Sequence, residues 1–167
     1  MATEIERKFL VKGDGWRAAA GPPRRLAQAY LCGGAGTTVR VRIVDDERGY
    51  LTIKGRTLEL AGGVAGSARA EFEYEIPLAD AEAMLQLRTG ALLAKSRHVV
   101  PEAGGLAFEV DVFEADYAGL VVAEIELPAP DAPFTRPDWL GDEVTGDPRY
   151  FNAAMASGNG PPTGSNA

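Results

Sequence analysis

The chain has one cysteine, Cys32, and one histidine, His98, in 167 residues. A lone cysteine excludes an internal disulfide framework and a cysteine-rich zinc site, and it suits a reducing cytoplasm. A lone histidine excludes two-histidine metal motifs, so a bound metal must be held mainly by carboxylate oxygens. Positive charge is scarce as well. Lys and Arg number 17 against 24 Asp and Glu, a formal charge of −7, which argues against binding nucleic acid or an anionic membrane. No apolar run approaches the roughly 18 residues of a membrane span, and the opening Met-Ala-Thr-Glu-Ile-Glu-Arg-Lys lacks a secretory leader. Repeats of fixed period are absent. Hydrophobic content of 46% and charged content of 25% exclude a disordered chain. The expectation is one cytoplasmic globular domain over residues 1–157, followed by a frayed Gly-, Pro- and Ser-rich tail over 158–167.

What recurs is alternation of period two. Strands are predicted over Thr3–Lys12, Arg25–Leu31, Thr37–Val44, Gly49–Lys54, Arg69–Pro77, Leu92–Val100, Leu106–Phe113 and Leu120–Pro128. Eight strands suit a closed antiparallel barrel, a mainly β fold. Asp45–Arg48 and Pro101–Gly105 read as hairpin turns, and Gly55–Ala68 as a longer mobile loop. Helices are predicted over Leu78–Arg88, with Asp80 as N-cap, and from Asp147-Pro148 to about Met155; short ones are expected near Asp14–Ala20 and Pro137–Leu140.

Alternate residues of a strand share a face. Glu4, Glu6 and Lys8 therefore align, as do Arg40 and Arg42, Thr52 and Lys54, Glu71, Glu73 and Glu75, Lys95 and Arg97, Glu109 and Asp111, and Glu124 and Glu126. Each row is backed by a mainly apolar one. A single such strand reads as a solvated sheet face. Seven of them, with acids on some strands and bases on others, suggest two electrostatic walls enclosing a wet, charged barrel interior. The set holds nine acids and six bases, an excess of three negative charges. Clustered carboxylates select hard divalent cations such as Mg²⁺ or Mn²⁺, and Arg beside Lys selects an oxyanion, phosphate above all. A triphosphate adds about −4 to −5. Two divalent ions would remove four of those charges, so metal should be needed for binding as well as for chemistry.

In this order the rows resemble the signature of the CYTH superfamily, the triphosphate tunnel metalloenzymes. The likeness runs from Glu4 to about Met155. It rests on Glu4-Ile5-Glu6-Arg7-Lys8, Gln28-Ala29-Tyr30-Leu31, Val39-Arg40-Val41-Arg42, Leu51-Thr52-Ile53-Lys54-Gly55, Glu71-Phe72-Glu73-Tyr74-Glu75, Lys95-Ser96-Arg97, Glu109-Val110-Asp111, Ala123-Glu124-Ile125-Glu126 and the ending Val144 to Asn152. A lone Glu-x-Glu-x-Lys is weak; the full ordered set is specific. The resemblance implies an eight-stranded tunnel that hydrolyses or rearranges triphosphates with divalent metal. It implies metal ligands at Glu4, Glu6, Asp111, Glu124 and Glu126, and triphosphate contacts from Lys8, Arg40, Arg42, Lys54, Lys95 and Arg97. Glu71 and Glu73 are candidates for a second metal or its water. Tyr30 points inward near Lys54 or plugs the barrel wall. Glu4, Glu6, Lys8, Tyr30, Lys54, Glu71 and Glu73 form the candidate catalytic set.

The leading expectation is metal-dependent hydrolysis of inorganic triphosphate to pyrophosphate and phosphate, with two Mg²⁺ or Mn²⁺ ions. An adenylate cyclase would need a base pocket, and the sequence offers no clear one. A thiamine triphosphatase could stack its substrate on Trp16, Tyr50 or Trp139, each more simply a packing residue. A non-catalytic polyphosphate-binding module has no use for the acidic rows, and a lipocalin-like carrier needs the opposite phase. Cys32 reads as structural and His98 as an outer-face residue. The apolar parity of several strands leaves room for a homodimer contact.

Overall fold

The computed structural model describes residues 2–33, 36–55 and 67–162, with the backbone alone for residues 2–4 and 67–69. The strands are β1 (Ala2–Val11), β2 (Arg24–Gly33), β3 (Thr38–Val44), β4 (Arg48–Lys54), β5 (Ser67–Ile76), β6 (Leu93–Pro101), β7 (Ala107–Phe113), β8 (Val121–Glu126) and β9 (Leu140–Glu143). Two α-helices, α1 (Leu78–Leu85) and α2 (Asn152–Ala156), and four single-turn 3₁₀ helices complete the described elements. The protein is mainly β, one antiparallel sheet of nine strands in the order β5-β4-β3-β2-β6-β7-β8-β1-β9. β1 also pairs with β5, Ala2 opposite Glu71 and Glu6 opposite Ser67.

All eight predicted strands are present, with ends within two residues of those read from the alternation. The ninth corrects an expectation. In place of a short helix near Pro137–Leu140, the chain turns and lays Leu140–Glu143 against the outer half of β1. Gly141 permits this approach, since a Cβ there would sit 3.0 Å from the Leu10 carbonyl oxygen. Arg7 then grips the Glu143 carboxylate through Nε and Nη2.

Two other expectations are refined. Pro77, not Asp80, precedes the first residue of α1, and the helix ends at Leu85. The segment after Asp147 breaks in two: Asp147 caps a 3₁₀ turn at Pro148–Tyr150 by accepting from the Arg149 N–H, Phe151 is extended, and α2 follows. The β3–β4 hairpin turns at Asp45 and Asp46, both left-handed with φ of 54° and 57°, the geometry that matches the twist of flanking strands. Residues 56–66 of the predicted mobile loop and 163–167 of the predicted tail lie outside the described residues. Pro161, within that expected tail, is buried.

Most apolar rows pack outward under cover, while Phe72 and Tyr74 of β5 stay exposed. Phe9, Phe108, Val110, Ala123 and Ile125 form one cluster, closed by Trp16, Leu140 and the partly buried Phe134 and Trp139. Ala29, Val41 and Ile43 lie under Ala81 and Leu85 of α1. Gly49 lets that helix sit close, because a Cβ there would meet the Ala81 Cβ at 2.5 Å. A third cluster lies on the other parity, where Tyr30, Leu93, Phe113 and Val122 share the face of Arg40, Lys95 and Asp111 and pack against Met155 and Ala156 of α2. With the apolar rows facing outward, the opposite parity is left to line the interior.

Candidate active site

A cavity of about 1110 Å³ runs along that opposite face. Its wall extends from Gly104–Ala107 and Leu127–Pro128, at one end of the strands, to Gly36–Thr38, Lys54–Gly55 and Phe151–Ala153 at the other. Between them it is lined by Glu6, Lys8, Tyr30, Arg40, Arg42, Lys54, Glu71, Glu73, Arg97, Glu109, Glu124 and Glu126. Among the site residues read from the sequence, Lys95 and Asp111 are outside the wall, and the Glu4 side chain lies outside the described residues. The Glu4 backbone, on β1 two residues before Glu6, pairs with Arg69 of β5.

Strand order places the charges. Basic β4, β3 and β6, with β2 between β3 and β6, form one contiguous arc, and acidic β7, β8, β1 and β5 form the other. Oppositely charged rows therefore adjoin at two seams. At the β4–β5 seam, Lys54 Nζ lies 3.0 Å from Glu71. Arg42 Nη2 donates to Glu73 at 2.8 Å, and Arg40 Nη2 reaches the same carboxylate at 3.4 Å. Thr52 joins them, accepting from Arg40 at 3.1 Å and donating to Glu73 at 2.7 Å. Burial pushes the Glu73 carboxyl up, but Thr52 and the two arginines outweigh it and hold the group below its ordinary range. Arg42 shifts down, first from burial and then from Arg40 beside it.

At the β6–β7 seam the groups are deeper. Arg97 donates Nε and Nη2 to the two oxygens of Asp111, each at 2.7 Å. Lys95 donates to the same carboxylate, and both Lys95 and Asp111 are 1% exposed. Burial is the main reason that the Lys95 ammonium falls to about 8, with Arg97 adding to it against the pull of Asp111. The Asp111 carboxyl is lowered, because Arg97 and Lys95 overcome its desolvation. Arg97 also donates Nη1 to Glu109, and its Nη2 lies 3.3 Å from Glu124.

On the acidic arc, Glu6 lies directly opposite Glu126, Lys8 opposite Glu124, and Glu124 opposite Glu109. Lys8 Nζ sits 2.9 Å from Glu124. Burial opposes both charges, yet Lys8 and Arg97 hold the Glu124 carboxyl well below its usual range, and Glu124 and Glu6 raise Lys8. The C-terminal segment secures this lysine: its N–H donates to Thr145 Oγ1 at 3.0 Å, its Nζ to the Tyr150 carbonyl at 3.2 Å, and the Phe151 ring lies 5.8 Å from Nζ. Among the described residues no three carboxylates converge as a ready-made cation cage.

Several wall residues were not singled out from the sequence. Phe151, Asn152 and Ala153 enter through the C-terminal turn, for which alternation gives no signal. Glu109 belonged to the acidic rows but not to the candidate site. Trp16 and Trp139 pack in the outer core, Trp16 1% exposed against His98 and Trp139 edge-on to Phe108. Neither is part of the cavity wall. Tyr50 sits under Arg42, 6.0 Å from ring centre to guanidinium. His98 is half-buried with Nδ1 3.4 Å from the Gly21 carbonyl, and Cys32 is exposed.

Known proteins are similar to this chain in sequence and fold. An inorganic triphosphatase of Acetivibrio thermocellus is 43% identical over 156 residues, 93% of this chain and 94% of that protein. An inorganic triphosphatase of Nitrosomonas europaea is 35% identical over 156 residues, 92% of this chain and 97% of its own. The crystal structure of an inorganic triphosphatase superposes with a TM-score of 0.64 at 31% identity, covering 94% of this chain and 96% of that one. The CYTH domain model matches residues 2–151, and the chain belongs to the CYTH domain family.

Proposed function

We propose that the protein is a divalent-metal-dependent inorganic triphosphatase that cleaves triphosphate to pyrophosphate and phosphate. The observation that carries the reading is one cavity lined by a basic arc and an acidic arc. A pure anion binder gains nothing from Glu6, Glu124 and Glu126, which repel its ligand. The names of the relatives support the same substrate. In this reading the β1–β5 pairing closes eight strands into a tunnel, and β9 lies on its outside.

Arg40, Arg42, Arg97, Lys54 and Lys8 would bind the phosphate chain, the arginines through their planar forks. The family implies a divalent cation, Mg²⁺ or Mn²⁺, and the donors fit a hard ion: the acidic wall offers carboxylate oxygens, and neither Cys32 nor His98 lines the cavity. Glu6, Glu124 and Glu126 would hold it, joined by Glu4 from the same row of β1. When bound, such an ion neutralises phosphate charge and lowers the pKa of a coordinated water. Arg40 and Arg42 exchange Glu73 for the incoming phosphate oxygens, and Glu71 and Glu73 then orient the attacking water. Lys54 and Tyr30 face the reacting end of the chain. Lys95 and Asp111 act from behind the wall by holding Arg97 in place.

The test is phosphate and pyrophosphate release from tripolyphosphate with Mg²⁺, with Mn²⁺ and with chelator, beside ATP and thiamine triphosphate. Metal-dependent release, fastest from tripolyphosphate, is the expected result, and Glu126→Ala should abolish it while leaving the fold intact. Absence of release above background ends the reading. Equal binding in chelator without turnover would replace it with a polyphosphate-binding module.

A further inference from the structure

We infer that Gln28 is a positioning residue for the basic arc, fixing the guanidinium groups of Arg40 and Arg42 from behind through buried water. β2 stands between basic β3 and β6, yet Leu26, Gln28 and Tyr30, its row on that parity, carry no charge. Gln28 lies opposite Arg42 in register, and Tyr30 opposite Arg40. It is fully buried, and among the described residues neither its Oε1 nor its Nε2 has a hydrogen-bond partner. The Nε atoms of Arg40 and Arg42 are buried and, among the described residues, unpartnered as well. One acceptor and several donors thus meet on one face of two neighbouring strands.

Buried polar groups are rarely left unpaired, and a site with two to four such partners is where an internal water settles. A water accepting from an arginine Nε–H and donating to Gln28 Oε1 satisfies both atoms. The outer ends of the two guanidiniums are held differently, by Glu73 and Thr52. A phosphate entering the cavity must take those Nη donors from Glu73. With Nε still anchored on the Gln28 side, the guanidinium planes keep their orientation while Glu73 lets go. The consequence for catalysis rests on the triphosphatase reading; the anchoring does not.

The experiment compares the full-length wild type with Gln28→Met, Gln28→Leu and Gln28→Glu. It reads solvent exchange of the arginine Hε protons by NMR on ¹⁵N-labelled protein, and tripolyphosphate kinetics with Mg²⁺. Met and Leu keep the bulk of the side chain and remove its hydrogen bonding; Glu keeps an acceptor and should rescue. In the Met and Leu variants, Hε exchange of two arginines should speed by about tenfold or more, and KM should rise about tenfold, more than kcat falls. Their Tm should fall modestly with the fold kept, since the arginine Nε–H groups lose their buried acceptor. Wild-type exchange in those variants overturns the inference, and so does a raised KM without faster exchange. Loss of the fold in both apolar variants also overturns it, because Gln28 would then be structural. A wild type with two slow Hε signals that leaves tripolyphosphate intact ends the triphosphatase reading while keeping the anchor.

Discussion

The two seams join base to acid with different depth. At β4–β5, Glu73 is 34% exposed and shared among Arg40, Arg42 and Thr52, with Arg–carboxylate distances from 2.8 to 3.4 Å. At β6–β7, Asp111 is 1% exposed and takes a two-pronged grip from Arg97 besides Lys95. An ion pair open to water is worth little and exchanges partners readily. A buried one is strongly destabilising when broken, because the surviving charge has nowhere to go. The first seam is therefore suited to yield its cations to a ligand, and the second to hold a cation in place. Composition alone would treat them as alike.

The sharpest way to break the comparison is to remove one charged group from each seam. Asp111→Ala should cost about 3–5 kcal/mol in chemical denaturation, since it strands Lys95 and Arg97 in the interior. A loss near that of a surface substitution would mean that water reaches this pair. Arg42→Ala should leave the fold intact and raise KM for tripolyphosphate about 10- to 100-fold, the worth of a charge-assisted hydrogen bond. Unchanged KM would remove Arg42 from the substrate path.

Acid pH tests the depth of the buried carboxylates. Asp111 and Glu124 have folded pKa values below their unfolded ones. Their stabilisation is present above the ordinary values of 3.8 and 4.5 and is lost as pH falls through the folded ones. Unfolding free energy should thus decline below about pH 4.5, by up to about 1.4 kcal/mol per pH unit for each group. Glu124→Gln should flatten that slope; an identical slope would refute the assignment. The smallest effect is at the open seam. Glu73→Gln should tighten metal-free tripolyphosphate binding about threefold by calorimetry, as a competitor for Arg40 and Arg42 loses its charge. Weaker binding would mean that Glu73 orients the arginines instead of competing for them.

Much of this was legible in the residues. Alternation fixed eight strands and their phase, because one row of each had to be apolar to pack. The sign of each row also predicted two walls, which strand order makes contiguous. Depth was not legible: Lys95 and Arg97 read as equals, yet one is behind the wall and the other on it. Charge patterns record which face a residue takes, not how far it stands from water. β9 was missed because Leu-Gly-Asp-Glu has no alternation, and its pairing depends on Gly141 and on the Arg7–Glu143 contact far away in sequence. The tryptophans were ambiguous for a related reason, since an aromatic ring serves a core and a ligand equally well.

Lys8 is bound by Thr145 and Tyr150, and Glu6 meets Glu126 across β1 and β8. On the ribosome, Glu6 and Lys8 emerge long before Glu126, Thr145 and Tyr150 and wait for these partners to follow. Such distant contacts are slow to close. A prematurely terminated product ending before Thr145 would carry the recognisable signature without the strap that seats its lysine, so activity in a lysate should report only chains that extend past Tyr150.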